Sequence, residues 1–334
     1  MAAYTTIDDP EAYFQVKTYT GTGSSLAITL DGDTDLSANM IWTKGRSYSS
    51  NHNLFDTVRG ATTRVYPHST SAENTDSETL KSFDSDGFTL GTQDNVNTST
   101  ETYVAWCWKE TADAGFDIIS YAGDGNAGRS LSHSLSAVPH WIMLKNRDDA
   151  VDWFCYHRGM TDDYNNKLNT DDAEFGGAYI FDPTSSIFKL RDHNVTNDSG
   201  DDYIAFAWSE KQGFSKFGKY TGNGNDDGAF IYTGFRPAYV CVKQIDANRA
   251  WNVYDNKRFT LRTTTSGYGY NTGVDMRLYP NTAGDEENYA SFDFVSNGFK
   301  ARTDNAYLND GTYIYMAFAE APLVNSNGVP CNAR

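Results

Sequence analysis

Tyr103-Val104-Ala105-Trp106-Cys107-Trp108-Lys109-Glu110 is a short strand-like run, and the chain contains it three times. Tyr203-Ile204-Ala205-Phe206-Ala207-Trp208-Ser209-Glu210 and Tyr313-Ile314-Tyr315-Met316-Ala317-Phe318-Ala319-Glu320 follow it, their leading tyrosines 100 and 110 residues apart. Successive side chains of a strand point to opposite faces, so Val104, Trp106 and Trp108 share one face and Tyr103, Ala105 and Cys107 the other. Both faces are largely apolar, which predicts a central strand covered on both sides.

Four further markers recur in the same order. An aromatic–x–Gly–x–Gly step stands at Tyr19–Gly23, Tyr121–Gly125 and Tyr220–Gly224. A strand ends in lysine at Lys44, Lys145 and Lys243, and an aromatic segment closes on Arg59, Arg158 and Arg258. A turn then leads into a strand carrying Phe88, Phe188 and Phe299. Five collinear markers at a fixed spacing are a duplication. The longer second step places an insertion of about ten residues between Arg258 and Phe299, within Ser266–Asn288.

Aromatic residues make up 14% of the 334 residues and proline only 8 positions. That mixture favours short strands joined by glycine and Asx turns. The nearest helix candidate, Asp76–Leu80, is too short to stand alone. The expected fold is all-β: three tandem antiparallel β-sandwich repeats, jelly-roll-like in size and strand count. The expected organisation is an N-terminal arm (1–13), repeats at 14–110, 116–210 and 215–322, and a C-terminal tail (323–334). The joints are short, so the units should pack on one another, as a stiff rod or a compact trefoil.

The formal charge of −17 disfavours nucleic acid and anionic membranes as partners. No run of apolar residues is long enough to span a bilayer, and Met1–Lys17 lacks the pattern of a signal peptide, so synthesis in a cytoplasm is expected. Cys107, Cys155 and Cys241 lie in apolar runs and read as buried thiols, and Cys331 is the fourth cysteine. The chain has neither a paired-cysteine motif nor a zinc-spaced histidine pair.

No catalytic constellation emerges, and no cofactor is expected. The histidines are scattered, and nucleophile-elbow and phosphate-loop patterns are absent. Glu110, Glu210 and Glu320 recur once per unit, which suits a scaffold role better than half of a glycosidase pair. For the repeated lysines and arginines, a lysine–carboxylate or arginine–backbone contact is the expected role. Asp31, Asp33 and Asp35 resemble half of a calcium loop, but Leu36 and Trp42 stand where that loop needs glycine and glutamate. They are nevertheless the metal candidates. Trp141, Trp153, Trp251, Tyr268 and Tyr270 could stack on sugars. The tryptophans belong to core-forming strands, which leaves Tyr268 and Tyr270, in the third-unit insertion, as the preferred surface-contact residues.

Tyr4-Thr5-Thr6-Ile7-Asp8-Asp9-Pro10, Phe14 and the YTGTG step at 19–23 resemble the start of a tailed-bacteriophage protein family found in viruses of marine bacteria and cyanobacteria. So do TKGR at Thr43–Arg46, TVRG at Thr57–Gly60, SFDSDGFTLG at Ser82–Gly91 and YVAWCWK at Tyr103–Lys109. The likeness is strongest over residues 1–110. Unit 2 has SSIFKL and unit 3 SNGFKA in place of the DGFTLG pattern. The resemblance implies a virion structural protein, a tail-fibre, knob or head-decoration component, with other virion proteins as partners and homo-oligomers, trimers among them, as a natural state. It supplies no catalytic residue. The alternative expectation is a lectin-like, carbohydrate-binding protein that recognises host surface glycans, and a polysaccharide depolymerase ranks below both.

Overall fold

The computed structural model describes residues 3–258 and 273–331. Unit 1 contains β1 (Phe14–Thr20), β2 (Leu26–Thr29), β3 (Met40–Gly45), β4 (Asn53–Asp56), β5 (Thr63–Val65), β6 (Asn74–Thr75), β7 (Leu80–Asp84), β8 (Gly87–Leu90) and β9 (Thr102–Trp108). A single-turn helix, α1 (Asp94–Asn97), precedes β9. These strands form an inner antiparallel sheet ordered β1-β9-β3-β4-β5-β6 and an outer sheet ordered β2-β8-β7.

Unit 2 repeats the plan with β10 (Phe116–Ala122), β11 (Arg129–Ser132), β12 (Trp141–Asn146), β13 (Phe154–His157), β14 (Tyr164–Lys167), β15 (Phe175–Gly176), β16 (Ile180–Phe181), β17 (Ile187–Leu190) and β18 (Asp202–Trp208). Its sheets are β10-β18-β12-β13-β14-β15 and β11-β17-β16. Unit 3 contains β19 (Ser215–Thr221), β20 (Phe230–Tyr232), β21 (Phe235–Gln244), β22 (Asn252–Asp255), β23 (Gly273–Arg277), β24 (Glu287–Val295), β25 (Gly298–Ala301) and β26 (Thr312–Pro322). Its sheets are β19-β26-β21-β22 and β20-β25-β24-β23. The fold is thus all-β, and among the described residues its helical elements are α1 and a 3-10 turn at Pro10–Ala12. No described helix is long and apolar enough to cross a membrane.

The two-faced terminal strand explains the layering. β9, β18 and β26 are each central, paired on both edges. In β9, Tyr103, Ala105 and Cys107 pack against Ile28, Phe88 and Leu90 of the outer sheet, which makes the sandwich interior of unit 1. Tyr203, Ala205 and Ala207 do the same against Leu131, Phe188 and Leu190 in unit 2. The opposite faces meet in a second, shared core: Val104, Trp106 and Trp108 join Ile204, Phe206 and Trp208 and Ile314, Met316 and Phe318. The inner sheets of the three units therefore face one another, and the arrangement is the trefoil. At its centre lies an apolar cavity of about 10 Å³ lined by Met40, Trp42, Trp108, Trp141, Trp208 and Tyr239, among others.

Each Gly–x–Gly step is held by the same latch. Tyr19, Tyr121 and Tyr220 stack on Tyr103, Tyr203 and Tyr313 at 5.0, 5.1 and 4.8 Å between ring centres. Their hydroxyls donate to the carbonyls of Val96, Thr196 and Leu308. Buried Asn97, Asn197 and Asn309 accept from the backbone N–H of Thr22, Asp124 and Asn223. The first glycine is needed for close approach: a Cβ on Gly21, Gly123 or Gly222 would sit 2.1, 1.9 or 2.1 Å from backbone atoms of Thr98, Asp198 or Asn309. The second glycine supplies the left-handed conformation, with φ of +68°, +66° and +65° at Gly23, Gly125 and Gly224.

The segment 76–80 is a capped turn into β7, where Asp76 Oδ1 accepts from the backbone N–H of Glu78 at 2.9 Å. Cys107, Cys155 and Cys241 are buried and unpaired, and burial pushes their thiols up.

Candidate functional site

The units close head to tail into a ring through one repeated set of seam contacts. Trp153 Nε1 of unit 2 donates to the Tyr66 carbonyl of unit 1, and Trp251 Nε1 of unit 3 donates to the Lys167 carbonyl of unit 2, both at 2.9 Å. In unit 1 the matching position is His52, whose Nε2 lies 3.0 Å from the Tyr279 carbonyl of unit 3. His52 Nδ1 accepts from Trp42 Nε1 at 2.9 Å, so the proton belongs on Nε2 and the ring is a donor like the two indoles. Burial and the Lys44 charge hold His52 well below the usual histidine range. A backbone rung crosses each seam in the opposite sense: the N–H groups of Glu73, Glu174 and Glu286 donate to the carbonyls of Arg147, Ile245 and Arg46.

The recurrent charges lie in these seams. Glu73 takes a two-pronged bond from Arg147 at 2.8 and 2.9 Å, and Glu286 takes one from Arg46 at 3.0 and 2.9 Å. Arg59 and Arg258 reach Asp56 and Asp255 at 2.6 Å and also contact Glu73 and Glu286. Burial alone would raise the Glu73 carboxyl; the bonds from Arg147 and the Arg59 charge outweigh it and hold it below the usual carboxylate range. Arg158 departs from the pattern and is exposed beside His140.

The expected lysine–carboxylate contact is corrected. Buried Lys44, Lys145 and Lys243 make no ion pair among the described residues, and they donate to backbone carbonyls: Gly45 at 2.8 Å, Asp149 and Val151 at 3.0 Å, and Gln244 at 2.8 Å. Loops turning away from a strand end leave carbonyls unpaired, and an ammonium with three protons can serve several at once. Burial lowers each of these lysines to about 8.

Glu110 Oε1 accepts from the backbone N–H of Ile118 at 3.1 Å, Glu210 pairs with Lys216 at 2.6 Å and Glu320 with Arg236 at 2.9 Å. Burial, reinforced by neighbouring Asp117, raises the Glu110 carboxyl, but Asp117 is itself held by the backbone N–H of Ser134 at 2.6 Å. The pair thus joins units 1 and 2.

Asp31 pairs with Lys17, and no group of three His, Cys, Asp or Glu side chains converges as a metal site among the described residues. Asp31, Asp33 and Asp35 are therefore not brought together as a ligand set. Trp141, Trp153 and Trp251 are fully buried. Tyr268 and Tyr270 lie outside the described residues.

A concave polar site, a pocket of about 360 Å³, lies on unit 1 beside its seam with unit 2. Asn51, Tyr66, His68, Ser71, Glu73 and Asn74 are among its lining residues. His68 is the residue that sets unit 1 apart. Its counterparts are Asn169 and Asn281, whose Oδ1 atoms accept from the backbone N–H of Trp153 and Trp251 at 2.9 and 3.1 Å. In unit 2, Asn169 Nδ2 also reaches Asp152 at 2.8 Å and closes the space. Asn51 stands at the Asp152 position of unit 1, and His68 does not reach it. His68 Nδ1 is buried without a hydrogen-bond partner. Burial, with Lys44 nearby, pushes the imidazole down to about 4, so it is neutral at pH 7.

A family model, Domain of unknown function (DUF7483), matches residues 9–322, which takes in all three units. The chain belongs to the DUF7483 family. Neither a curated protein nor a solved structure matches it.

Two surface features of this DUF7483 chain escape a reading by residue type. The pocket needs the third marker of unit 1 to be set against those of units 2 and 3, because only the exchange of asparagine for His68 signals it. Among the described residues the two most exposed aromatics are Phe230 (48% exposed) and Tyr232 (53%) on β20, ahead of Tyr164 (37%), and not the tryptophans. The register of β20 against β25 matches them to Ala27 and Thr29 in unit 1 and to Ser130 and Ser132 in unit 2. By residue type Phe230, Ile231 and Tyr232 are alike, and their alternation of exposed, buried, exposed shows only in the structure.

Proposed function

We propose that this protein is a non-enzymatic structural component of a bacteriophage virion, a tail-fibre, knob or head-decoration protein that acts by assembly and surface binding. The observation that carries the reading is the closed ring. The shared apolar core and inter-unit ion pairs such as Arg147–Glu73, Arg46–Glu286 and Lys216–Glu210 hold the units to one another, as suits a rigid building block. The likeness of residues 1–110 to tailed-phage proteins supplies the setting. Its partners are then other virion proteins and further copies of the chain, and its location is the particle, after synthesis in the host cytoplasm.

Mass spectrometry and antibody-gold imaging of purified particles test this. The protein is expected at a fixed copy number per particle and at one place on it. Recovery only from the particle-free fraction of infected cells overturns the reading.

A second reading, recognition of a host surface glycan, is favoured by the polar pocket of unit 1, a single-copy feature on a thrice-copied scaffold. The two readings coincide if the virion part also touches the host.

A further inference from the structure

The pocket of unit 1 has a volume of about 360 Å³, within the range of small-ligand sites, and its polar groups are unusually uncommitted. His68 Nδ1 is buried and unpartnered. No hydrogen bond of the Tyr66 hydroxyl or of the Asn51 side-chain amide is found among the described residues, and Asn74 is engaged through its Oδ1 by Arg64 at 3.3 Å.

The charge state of the lining narrows the ligand. Glu73 Oε1 is taken by Arg147, and Glu73 Oε2 by Arg147 and Arg59 together. Its charge is thus neutralised, and it offers little to an amine. Arg147 and Arg59 are in turn committed to Glu73 and Asp56, and none of the lining residues is a lysine or arginine, which disfavours a phosphate, sulfate or carboxylate. His68 is neutral. The groups left are an imidazole, a phenol, two amides and the hydroxyls of Ser69 and Ser71, the last two bonded to each other at 2.8 Å. Such a set pairs with hydroxyls, which donate and accept at once.

We infer that this pocket binds one uncharged sugar residue, the neutral end of a glycan, with His68, Asn51, Tyr66 and Asn74 lining it and fixing the orientation of the sugar hydroxyls. This rests on the glycan-recognition reading above. It goes further by naming the site, the charge class and the residue that created it. In units 2 and 3, Asn169 and Asn281 stand at the His68 position and cap the tryptophan strand.

Saturation-transfer NMR and calorimetry on the full chain test the inference. The probes are glucose, galactose, N-acetylglucosamine, lactose and cellobiose, set against glucuronic acid and sialic acid. At least one neutral sugar is expected to bind, and the two acids to bind at least tenfold more weakly. His68→Asn restores the residue of units 2 and 3. The variant should fold, since the amide can cap the backbone N–H of His52 as Asn169 and Asn281 cap theirs, and it should weaken the sugar about tenfold, equivalent to about 1.4 kcal/mol. Ser71→Trp, on the exposed rim, should also block binding by filling the mouth. Tighter binding of the acids overturns the inference while leaving glycan recognition standing. Failure of every probe to bind overturns both. Neutral-sugar binding that survives both substitutions places the site elsewhere and overturns the inference as well.

Discussion

Trp106 Nε1 donates to Asp255 Oδ2 at 2.9 Å, a contact between units 1 and 3 across 149 positions of sequence. The same carboxylate oxygen receives Arg258 Nε at 2.6 Å, and the Arg258 guanidinium lies 5.6 Å from the centre of the Trp106 ring. Arg258 and Asp255 are both fully buried. Removing one partner of a buried pair leaves the other charged, desolvated and uncompensated. Asp255→Ala is therefore expected to cost about 3–5 kcal/mol, read as a lowered urea midpoint. Asp31→Ala, at an exposed pair with Lys17, should stay within about 0.5 kcal/mol.

The seam between units 2 and 3 is expected to respond to acid. His157 Nε2 lies 3.2 Å from the Tyr315 carbonyl, and its Nδ1 accepts from the backbone N–H of Gly159 at 2.9 Å. Neither nitrogen has room for a second proton, and burial holds the ring down at about 3. The unfolded chain takes up a proton near pH 6.5 while the folded one does not, so stability is full above that pH and falls as pH drops towards 3. For one such group the slope approaches about 1.4 kcal/mol per pH unit. Denaturation midpoints between pH 7 and pH 4 should show a shallower fall in His157→Gln than in the parent. Equal slopes would remove His157 from the account.

Gly222 and Gly128 separate two reasons for glycine. A Cβ at Gly222 would stand 2.1 Å from the Asn309 carbonyl carbon, whereas Gly128, at φ +77°, has nothing within 4 Å of that position. Gly128→Ala should cost only the left-handed penalty, about 1–2 kcal/mol. Gly222→Ala should cost more, because the loop must also move away from the asparagine that latches it. Thermal unfolding of the two variants side by side reads the difference.

A single unit should not fold alone. Residues 116–210 taken out of the ring would expose Trp141, Trp153, Trp208 and Phe206, which are buried in the shared core, and a surface of that kind aggregates. The full chain should unfold in one cooperative transition, and the isolated segment should lack the near-ultraviolet signal of packed tryptophan. Three separable transitions would refute the shared core.

Much of this architecture was legible in the sequence because each unit satisfies its own strand and turn requirements locally. The alternation in Tyr103–Trp108 predicts a strand covered on both faces, and the structure covers one face with the outer sheet and the other with the neighbouring units. The choice between rod and trefoil was not legible, because it depends on what the second face meets. The seam is written in dissimilar residues, His52, Trp153 and Trp251, which share only an N–H pointing outward. The lysine partners were misjudged because a backbone carbonyl has no letter in the sequence. The pocket was hidden for the opposite reason: His68 looks like any isolated histidine until Asn169 and Asn281 are set beside it.

The N-terminal segment gains a role from where it lands. Tyr4 donates to the Gly234 carbonyl at 2.8 Å, Asp8 accepts from the backbone N–H of Ser326 at 2.6 Å, and Phe14 stacks on Phe318 at 4.9 Å. These contacts fasten the seam between units 1 and 3, as a clasp fastens a bracelet.

The small central cavity has a consequence for traffic. A ring invites comparison with a conduit, yet its bore is stoppered by indoles and thioethers around a void of about 10 Å³, space for barely one water and too greasy to keep it. Neither ions nor a threaded polymer can travel along the middle of this molecule. Any partner must engage it from outside, on the three unequal lobes that divergence has given it.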